Sequence, residues 1–429
     1  MKVSQAWIDA LQPNALMRLW GMTLAERVMR QAVEAGIRTI LVSSPTGETL
    51  LKTIRSDFWE RYSNVEVRFI NSRVLDEESI RIGKSGELMM ILEGHCLYDE
   101  RLTEKFAGLN EPAIAVDSSG SFPLLAVLNH ESAKVAFADT ENAAEFLKSR
   151  QASLRQINIR HMESYYRRLR SYQPVYWLNI RNDNDLDQAN QYLKESVHKG
   201  TNDLIAKFIH PPFEFALTRL ICNTRIRPNH VTFFNIFLAF SAIPFFYTGR
   251  FTIGLLMALT KGITDGVDGK LARLTIRTSS FGDKLDHISD MIYLNCYYVA
   301  MALYFSKGNL TAFPFVAMYW VIPTYFLDRI VRWLFIRRHH ETVQDYSKID
   351  VWFRLVQSNR NISMWSFLIC YLTGYPLWGF YAIIFWTPSN FIYYGVRHLY
   401  EYNRTKERVG YLSVSPVSQT ARGQRVGDN

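Results

Sequence analysis

The chain has 429 residues, enough for two domains, and its 48% hydrophobic content and mean hydropathy of −0.08 would also suit a soluble protein. The formal net charge is +9, which we attribute to basic residues on one side of a membrane; we expect no nucleic-acid partner. Four widely spaced cysteines without a C-x2-C pair argue against a disulfide framework or a zinc site.

Residues 1–195 are predicted to form a soluble α/β domain. Helical patterns at 22–35 and 184–198 accompany short apolar runs, and this alternation favours a mostly parallel sheet covered by helices. The amino terminus lacks the apolar core of a signal peptide. The apolar runs are 38–43, 65–70, 87–92, 112–117, 122–128 and 175–180.

Residues 196–227 are predicted to connect this domain to a second one. An amphipathic stretch in this segment contains Pro211-Pro212 and ends near Arg227. Such a stretch is typical of a juxtamembrane helix lying along the cytoplasmic membrane surface, and a plain linker is the alternative.

Residues 228–405 are predicted to be an all-α membrane domain of six transmembrane helices. A bilayer core about 30 Å thick needs about 20 helical residues, and aromatic and aliphatic stretches dominate from Val231 onward. Hydropathy alone would miss the second and third spans, which carry aspartates. The six spans are about 231–248, 251–273, 283–305, 310–335, 361–377 and 379–398, and residues 406–429 resemble a mobile tail.

Basic residues predict the orientation of these helices. They cluster on alternate connections, whereas the opposite connections offer little more than Arg250 and Lys307. Because basic connections stay in the cytoplasm, we expect a multi-pass protein of the cell inner membrane, with its amino-terminal domain, carboxyl terminus and aspartates facing the cytoplasm. The cytoplasmic set includes Arg225, Arg227, Arg273, Arg277, Lys284, Arg337, Arg338, Lys348, Arg354, Arg360, Arg397, Arg404, Lys406 and Arg408.

The most informative pattern is D-x2-D-G-x2-A-R-x8-G-x3-D-x3-D, which begins at Asp265. Residues three or four apart share a helix face, so Asp265 and Asp268 line one helix while Asp286 and Asp290 line the next. Charged groups in apolar sequence are usually retained for function, and carboxylate oxygens suit Mg2+ or Mn2+. The four aspartates are therefore predicted to be metal ligands, although a single helical aspartate is as often capped or solvated.

The remaining motif residues suit a bound phosphate compound. Gly269, Ala272 and Gly282 are small enough for a ligand to approach the backbone, although small residues also serve helix packing. The planar guanidinium of Arg273 can hold a phosphate.

These eight residues resemble the signature of the CDP-alcohol phosphotransferases, and the similarity covers about residues 200–405. The resemblance implies a membrane enzyme that transfers a phosphoalcohol group from a CDP-alcohol to an acceptor alcohol and releases CMP. It implies that Asp290 is the general base and that Asn229, Thr232 and Ser279 lie near the nucleotide. For the segment beginning at Pro228, helix capping is the alternative interpretation. A homodimer is a family expectation alone.

The resemblance leaves the substrates open. A CDP-diacylglycerol-like donor would place the protein in phospholipid biosynthesis. The alternatives are a CDP-inositol-type inositol phosphate transferase and a catalytically silent membrane binding or regulatory protein. The complete motif argues against the silent protein, because drift would be expected to remove at least one carboxylate.

The amino-terminal domain resembles a nucleotidyltransferase of the kind fused to these enzymes when they activate inositol phosphate with CTP. The similarity lies in Gly21–Arg27, the following helix to Gly36 and the strand after it. Residues 1–20 contain no G-x-G-x-R loop, which would hold a triphosphate, and His95 replaces the family's metal-binding aspartate. We therefore predict an inactive scaffold or regulatory domain, with a divergent active transferase as the alternative.

Overall fold

The computed structural model describes residues 3–45, 47–70, 87–117, 125–129, 147, 153–166, 168–198, 200 and 202–402, without the side chains of 280, 281 and 283. The predicted tail at 406–429 lies outside these residues. Two compact units are present. One contains the described residues up to Tyr166 with Gln173–Val197 and Leu274–Ile276, and the other contains 168–172, His198–Arg273 and the described residues from Arg277 onward.

The first unit is built on a seven-stranded sheet in the order β10-β8-β9-β6-β1-β4-β5. Pairing is parallel except along β9, which is antiparallel to both of its neighbours, so the predicted mostly parallel sheet is confirmed. The strands are β1 (Val3–Asp9), β2 (Arg18–Leu19), β3 (Met22–Thr23), β4 (Thr39–Ser43), β5 (Glu66–Ile70), β6 (Leu88–Glu93), β7 (Cys96–Tyr98), β8 (Ala113–Val116), β9 (Leu125–Asn129), β10 (Arg155–Asn158), β11 (Tyr165–Tyr166), β12 (Ser171–Tyr172) and β13 (Trp177–Asn179).

Helices accompany this sheet, and a hydrophobic core lies on each of its faces. Val28 of α1 belongs to one core with Ile8 of β1, while Trp7 of β1 belongs to the other core with Ile91 of β6. The predicted helices at 22–35 and 184–198 appear as α1 and α5. The helices of this unit are α1 (Leu24–Glu34), α2 (Gly47–Thr53), α3 (Ser56–Arg61), α4 (Glu100–Ala107) and α5 (Asp183–Ser196).

Two features of this unit differ from the sequence prediction. Strand β1 lies inside the sheet, between β4 and β6, yet its mixed sequence VSQAWID was not among the predicted apolar runs. The predicted run at 175–180 forms β13, which pairs with β7 in a separate two-stranded ribbon. Both differences arise because tertiary pairing, which a local pattern does not contain, decides where a strand lies.

The second unit is helical, as predicted. An aromatic core that includes Phe246, Phe251, Phe367 and Phe380 packs between its long helices. The helices are α6 (Leu204–Phe208), α7 (His210–Ile221), α8 (Pro228–Tyr247), α9 (Phe251–Leu274), α10 (Ser280–Phe305), α11 (Phe313–Val316), α12 (Met318–His339), α13 (Lys348–Val356), α14 (Arg360–Leu372) and α15 (Pro376–Tyr402).

Each predicted span corresponds to a helix, although two bounds differ clearly. The fifth ends at Leu372 because Gly374 has a φ of +86° and Pro376 begins the next helix. The fourth is divided into α11 and α12. Among the described helices, α8 alone has the length and apolar composition expected of a membrane-crossing helix.

Besides its apolar core, the helical unit buries some polar side chains and exposes many large apolar ones. Thr232 and Asn235 of α8 are buried, whereas Phe233 and Phe237 are 54% and 64% exposed. In the described part of the α/β unit, by contrast, the large hydrophobic side chains that are exposed are Leu51 and Trp59. Large exposed apolar surfaces mark contact with another apolar phase or partner.

Candidate active site

Helices α9 and α10 bring three of the predicted aspartates to one place. One carboxylate oxygen from each of Asp265, Asp286 and Asp290 lies within 4.8 Å of the other two. Asp286 and Asp290 are four residues apart on α10 and therefore share a face, as their spacing predicts. Three partly buried carboxylates this close repel one another unless positive charge lies between them.

Asp268 is one helical turn further along α9 and contacts helix α8. The buried hydroxyl of Thr232 donates a hydrogen bond of 2.8 Å to Asp268 Oδ2. The same hydroxyl is 3.3 Å from the carbonyl oxygen of Pro228, one turn earlier in α8. Thr232 thus fixes the orientation of Asp268, and both predicted residues lie at the same site.

Two cations that were not among the predicted site residues lie among the aspartates. Lys261 of α9 is 1% exposed, and its Nζ is 2.5 Å from Asp265 Oδ1 and 2.5 Å from Asp290 Oδ1. Arg360, the first residue of α14, donates from Nη1 to Asp290 Oδ2 at 2.7 Å and from Nη2 to Asp265 Oδ2. Asp265 and Asp290 are therefore each paired with both cations.

The donor set fits a hard divalent cation. Carboxylates suit Mg2+ and Mn2+, and one buried atom, Asp286 Oδ1, has no hydrogen-bond partner within the described residues. A buried acceptor without a partner is costly, and a bound cation would satisfy it. The Nζ of Lys261 is 4.0 Å from this oxygen, which is too far for a hydrogen bond.

The small motif residues allow close contacts within the site. A methyl group added to Gly282 would lie 2.9 Å from Asn229 Oδ1, so the glycine leaves room for the asparagine. A methyl group on Gly269 would lie 3.2 Å from Nη1 of Arg273, which folds back along the same helix.

Two other predicted binding residues have structural roles at helix ends. Ser279 is the N-cap of α10, and its Oγ is 3.4 Å from the backbone N–H of Gly282. The carbonyl of Ala272 accepts a hydrogen bond from the backbone N–H of Arg277 at the end of α9.

A buried ion pair attaches helix α7 to the helix that carries the motif. Lys270 of α9 donates to Glu214 of α7, and both side chains are at most 8% exposed. The contact is made beside Gly266, where an added methyl group would clash with the Glu214 carboxylate. Glu214, a residue of the predicted interfacial segment, therefore attaches α7 to α9.

Two residues of the α/β unit, Asn14 and His95, lie in segments where nucleotidyltransferase features were expected. Asn14, in the loop after β1, donates to the carbonyl oxygens of Ile180 and Arg181 at 3.3 Å and 3.0 Å. His95 is 7% exposed, and its Nδ1 is 3.5 Å from Glu93 Oε2. Burial lowers the pKa of His95, which favours a neutral imidazole at pH 7.

Residues 225–388 match the family model for CDP-alcohol phosphatidyltransferase, and this stretch contains the four aspartates, Lys261 and Arg360. The chain therefore carries a CDP-alcohol phosphotransferase domain, as the motif predicted.

Three curated relatives share one name. A protein of Aquifex aeolicus named "Bifunctional IPC transferase and DIPP synthase" is 20% identical over 329 residues, covering 68% of this chain and 72% of its own length. Proteins with that name from Archaeoglobus fulgidus and Thermococcus kodakarensis are 29% and 26% identical, each over 30% of this chain. These two matches cover 26% and 29% of the relatives.

Solved structures are similar to less than half of the chain. A 4-diphosphocytidyl-2C-methyl-D-erythritol synthase from Anaerococcus prevotii covers 45% of this chain and 99% of its own, with 14% identity and a TM-score of 0.31. A manganese complex of a Mycobacterium tuberculosis protein covers 44% and 99%, with 10% identity and a TM-score of 0.34.

Proposed function

We propose that this protein is an integral membrane, divalent-metal-dependent CDP-alcohol phosphotransferase with its active site at Asp265, Asp268, Asp286 and Asp290. The observation that carries the proposal is the gathering of Asp265, Asp286 and Asp290 from two adjacent helices, inside the segment that matches the family. Asp268 lies one turn away and is oriented by Thr232.

In the proposed reaction, the acceptor hydroxyl attacks the phosphorus that carries the donor alcohol. A new P–O bond forms, the pyrophosphate P–O bond breaks, and CMP leaves with the electron pair. Asp290 takes the proton from the acceptor hydroxyl as general base. Arg273 holds a phosphate, and Gly269, Ala272 and Gly282 leave room for the nucleotide near Asn229, Thr232 and Ser279.

Mg2+ or Mn2+ would be held by the four aspartates. When bound, such an ion neutralises charge that develops on the pyrophosphate. Asp286 Oδ1 supports its presence, because this buried atom otherwise accepts no hydrogen bond from the described residues. Each oxygen of Asp290 already accepts one hydrogen bond, so the proton would be taken through the second lone pair of one of them.

The many exposed apolar side chains of the helical unit support membrane integration. Helix α7 buries His210, Glu214 and Thr218 and exposes Phe213 and Leu220, so its apolar face would lie against lipid. We propose that α8, α9, α10, α12, α14 and α15 cross the bilayer. The 13 residues of α14 extend only about 20 Å, so that crossing needs its flanking segments or a locally thin bilayer.

Two donor classes are proposed for the test. A CDP-diacylglycerol-like donor in phospholipid biosynthesis is the first, since an inactive α/β unit would supply no CDP-inositol. A CDP-inositol-type donor is the second, and the DIPP synthase name shared by the three curated relatives favours it. In both cases we propose that the α/β unit is a silent scaffold, because residues 1–20 lack the G-x-G-x-R loop and a buried histidine, His95, replaces the expected aspartate.

The test is CMP release from a panel of CDP-alcohols and acceptors, with products identified by mass spectrometry. We expect release that requires Mn2+ or Mg2+ and falls at least 100-fold in Asp286→Asn. Asp187→Asn, which changes an exposed carboxylate of α5, is the matched control and should keep wild-type turnover.

A further assay supplies the protein with CTP and inositol phosphate and measures the release of pyrophosphate. No pyrophosphate is expected, and its release would show that the α/β unit is active. Absence of CMP release from every donor would instead support a silent membrane binding protein, and release without divalent metal would remove the metal from the proposal.

A further inference from the structure

The central position among the aspartates is taken by a side chain that the family motif does not include. The ammonium of Lys261 contacts Asp265 and Asp290 at 2.5 Å each and lies 4.0 Å from Asp286. Its Nζ also lies 4.9 Å from the ring centroid of buried Tyr293 and makes a cation–π contact with that ring. A lysine that is 1% exposed in an apolar helix keeps its charge only where carboxylates compensate it.

Arg360 completes this arrangement from the opposite side of the two carboxylates. Each of Asp265 and Asp290 accepts one hydrogen bond from Lys261 and one from Arg360, through different oxygens. All four oxygens of these two side chains are therefore satisfied by protein cations.

The other two aspartates receive no such compensation. Asp286 Oδ1 has no hydrogen-bond partner within the described residues, and Asp268 accepts from the neutral hydroxyl of Thr232. Among the described residues, no protein cation therefore donates a hydrogen bond of normal length to Asp268 or Asp286, and Lys261 approaches Asp286 no closer than 4.0 Å.

The charges decide how many ions the site can take. The four motif aspartates together with Lys261 and Arg360 carry a net charge of −2, which one divalent ion neutralises and two would reverse. Unbalanced charge in an apolar environment is costly. We propose that Lys261 and Arg360 replace a second divalent ion, so that the nucleotide-free enzyme binds one, with Asp286 Oδ1 among its ligands. This inference rests on the proposed metal-dependent function.

Counting bound Mn2+ tests the inference directly. Purified, chelator-treated protein in detergent, without nucleotide, is titrated with Mn2+ and the free ion is followed by electron paramagnetic resonance. We expect one Mn2+ per wild-type chain. Lys261→Met removes one positive charge, and we expect either at least tenfold tighter binding or a second bound ion. Lys348→Met, the same change at an exposed lysine, should bind as wild type does.

The outcomes separate this inference from the proposed function. Two ions in the wild-type protein would overturn the inference and leave the metal-dependent enzyme intact. Binding of no Mn2+ by the wild-type protein would overturn both. Unchanged stoichiometry and affinity in Lys261→Met would remove the role of Lys261. The wild-type count needs no variant, and Arg360→Gln repeats the test at the second cation should Lys261→Met fail to fold.

Discussion

At the scale of single residues, the surroundings of Asp290 determine what it can do. Its two oxygens accept hydrogen bonds from Lys261 and Arg360 at 2.5 Å and 2.7 Å. These contacts hold the carboxylate in place. They also limit access, because a proton acceptor requires a lone pair that faces the acceptor hydroxyl.

Replacing Asp290 tests its role as the base. Asp290→Asn keeps the shape of the side chain and removes its basicity, so we expect turnover to fall by roughly 10²- to 10⁴-fold, the usual contribution of a general base. CDP binding, measured by calorimetry, should be retained. Asp268→Asn should weaken Mn2+-dependent CDP binding as well as turnover. Wild-type turnover in Asp290→Asn would assign the proton transfer to another group.

Sequence reasoning could find part of this site. Helix spacing brought Asp265, Asp286 and Asp290 together in the prediction, and they lie together in the structure. Lys261 was missed, although it precedes Asp265 by four residues and the same spacing rule places it on that face. Arg360 was interpreted as a marker of membrane orientation. Its contact with Asp290 spans 70 residues of sequence, a separation that no local pattern encodes.

At the scale of helices, a buried ion pair attaches α7 to α9, the helix that carries Asp265 and Asp268. The Glu214–Lys270 pair lies between the two, and Lys270 follows Gly269 directly in the motif. A second polar contact joins the same segment to α14, where Asn361 donates to Asp203 at 3.1 Å. Asn361 is the neighbour of Arg360, so both contacts reach helices that supply site residues.

The ion pair can be tested with single and double substitutions. Lys270→Met leaves the buried Glu214 without its cation, and we expect destabilisation of about 3–5 kcal/mol. Glu214→Gln in the same chain removes the stranded charge and should recover most of that loss. Thermal unfolding in detergent measures both effects.

The matched control for that experiment is an exposed pair. Lys52 and Glu48 lie 3.9 Å apart on α2 with side chains that are 78% and 92% exposed. Lys52→Met should leave the unfolding temperature unchanged, since exposed pairs contribute little. Suppose instead that the double variant Glu214→Gln with Lys270→Met proves no more stable than Lys270→Met alone. Lost packing of the Lys270 side chain, and not the unpaired charge of Glu214, would then explain the destabilisation.

The helices were more predictable than the central strand. Long apolar segments predicted the approximate positions of the longer helices of the second unit, whereas α13 was not predicted, and the early end of α14 follows from Gly374 and Pro376. Strand β1 carries little signal of its own, because its burial comes from β4 and β6 on either side. Such neighbours are known only once the chain has folded.

At the scale of the whole molecule, the two units present different surfaces to their surroundings. The helical unit exposes large side chains such as Trp352, Leu372 and Trp378, each between 67% and 73% exposed. The described part of the α/β unit exposes far fewer. This difference is the basis for the proposal that the helical unit lies in a bilayer.

The proposed orientation predicts which positions a membrane-impermeant thiol reagent reaches. In a background without the native cysteines, a cysteine at Asn309, in the connection after α10, should be labelled in intact cells. A cysteine at exposed Lys348, in the connection before α14, should be labelled only after the membrane is permeabilised. Labelling of both positions in intact cells would show that the predicted topology is wrong.

Gly266 and Glu214 constrain each other's evolution. A methyl group at position 266 would lie 1.9 Å from Glu214 Oε1, so alanine cannot be accepted while the glutamate keeps its place. We therefore expect the two positions to change together in a mutational library, with substitutions at 266 surviving only beside a shorter side chain at 214. A helix turn next to the aspartates thus depends on a residue outside the segment that carries the family signature.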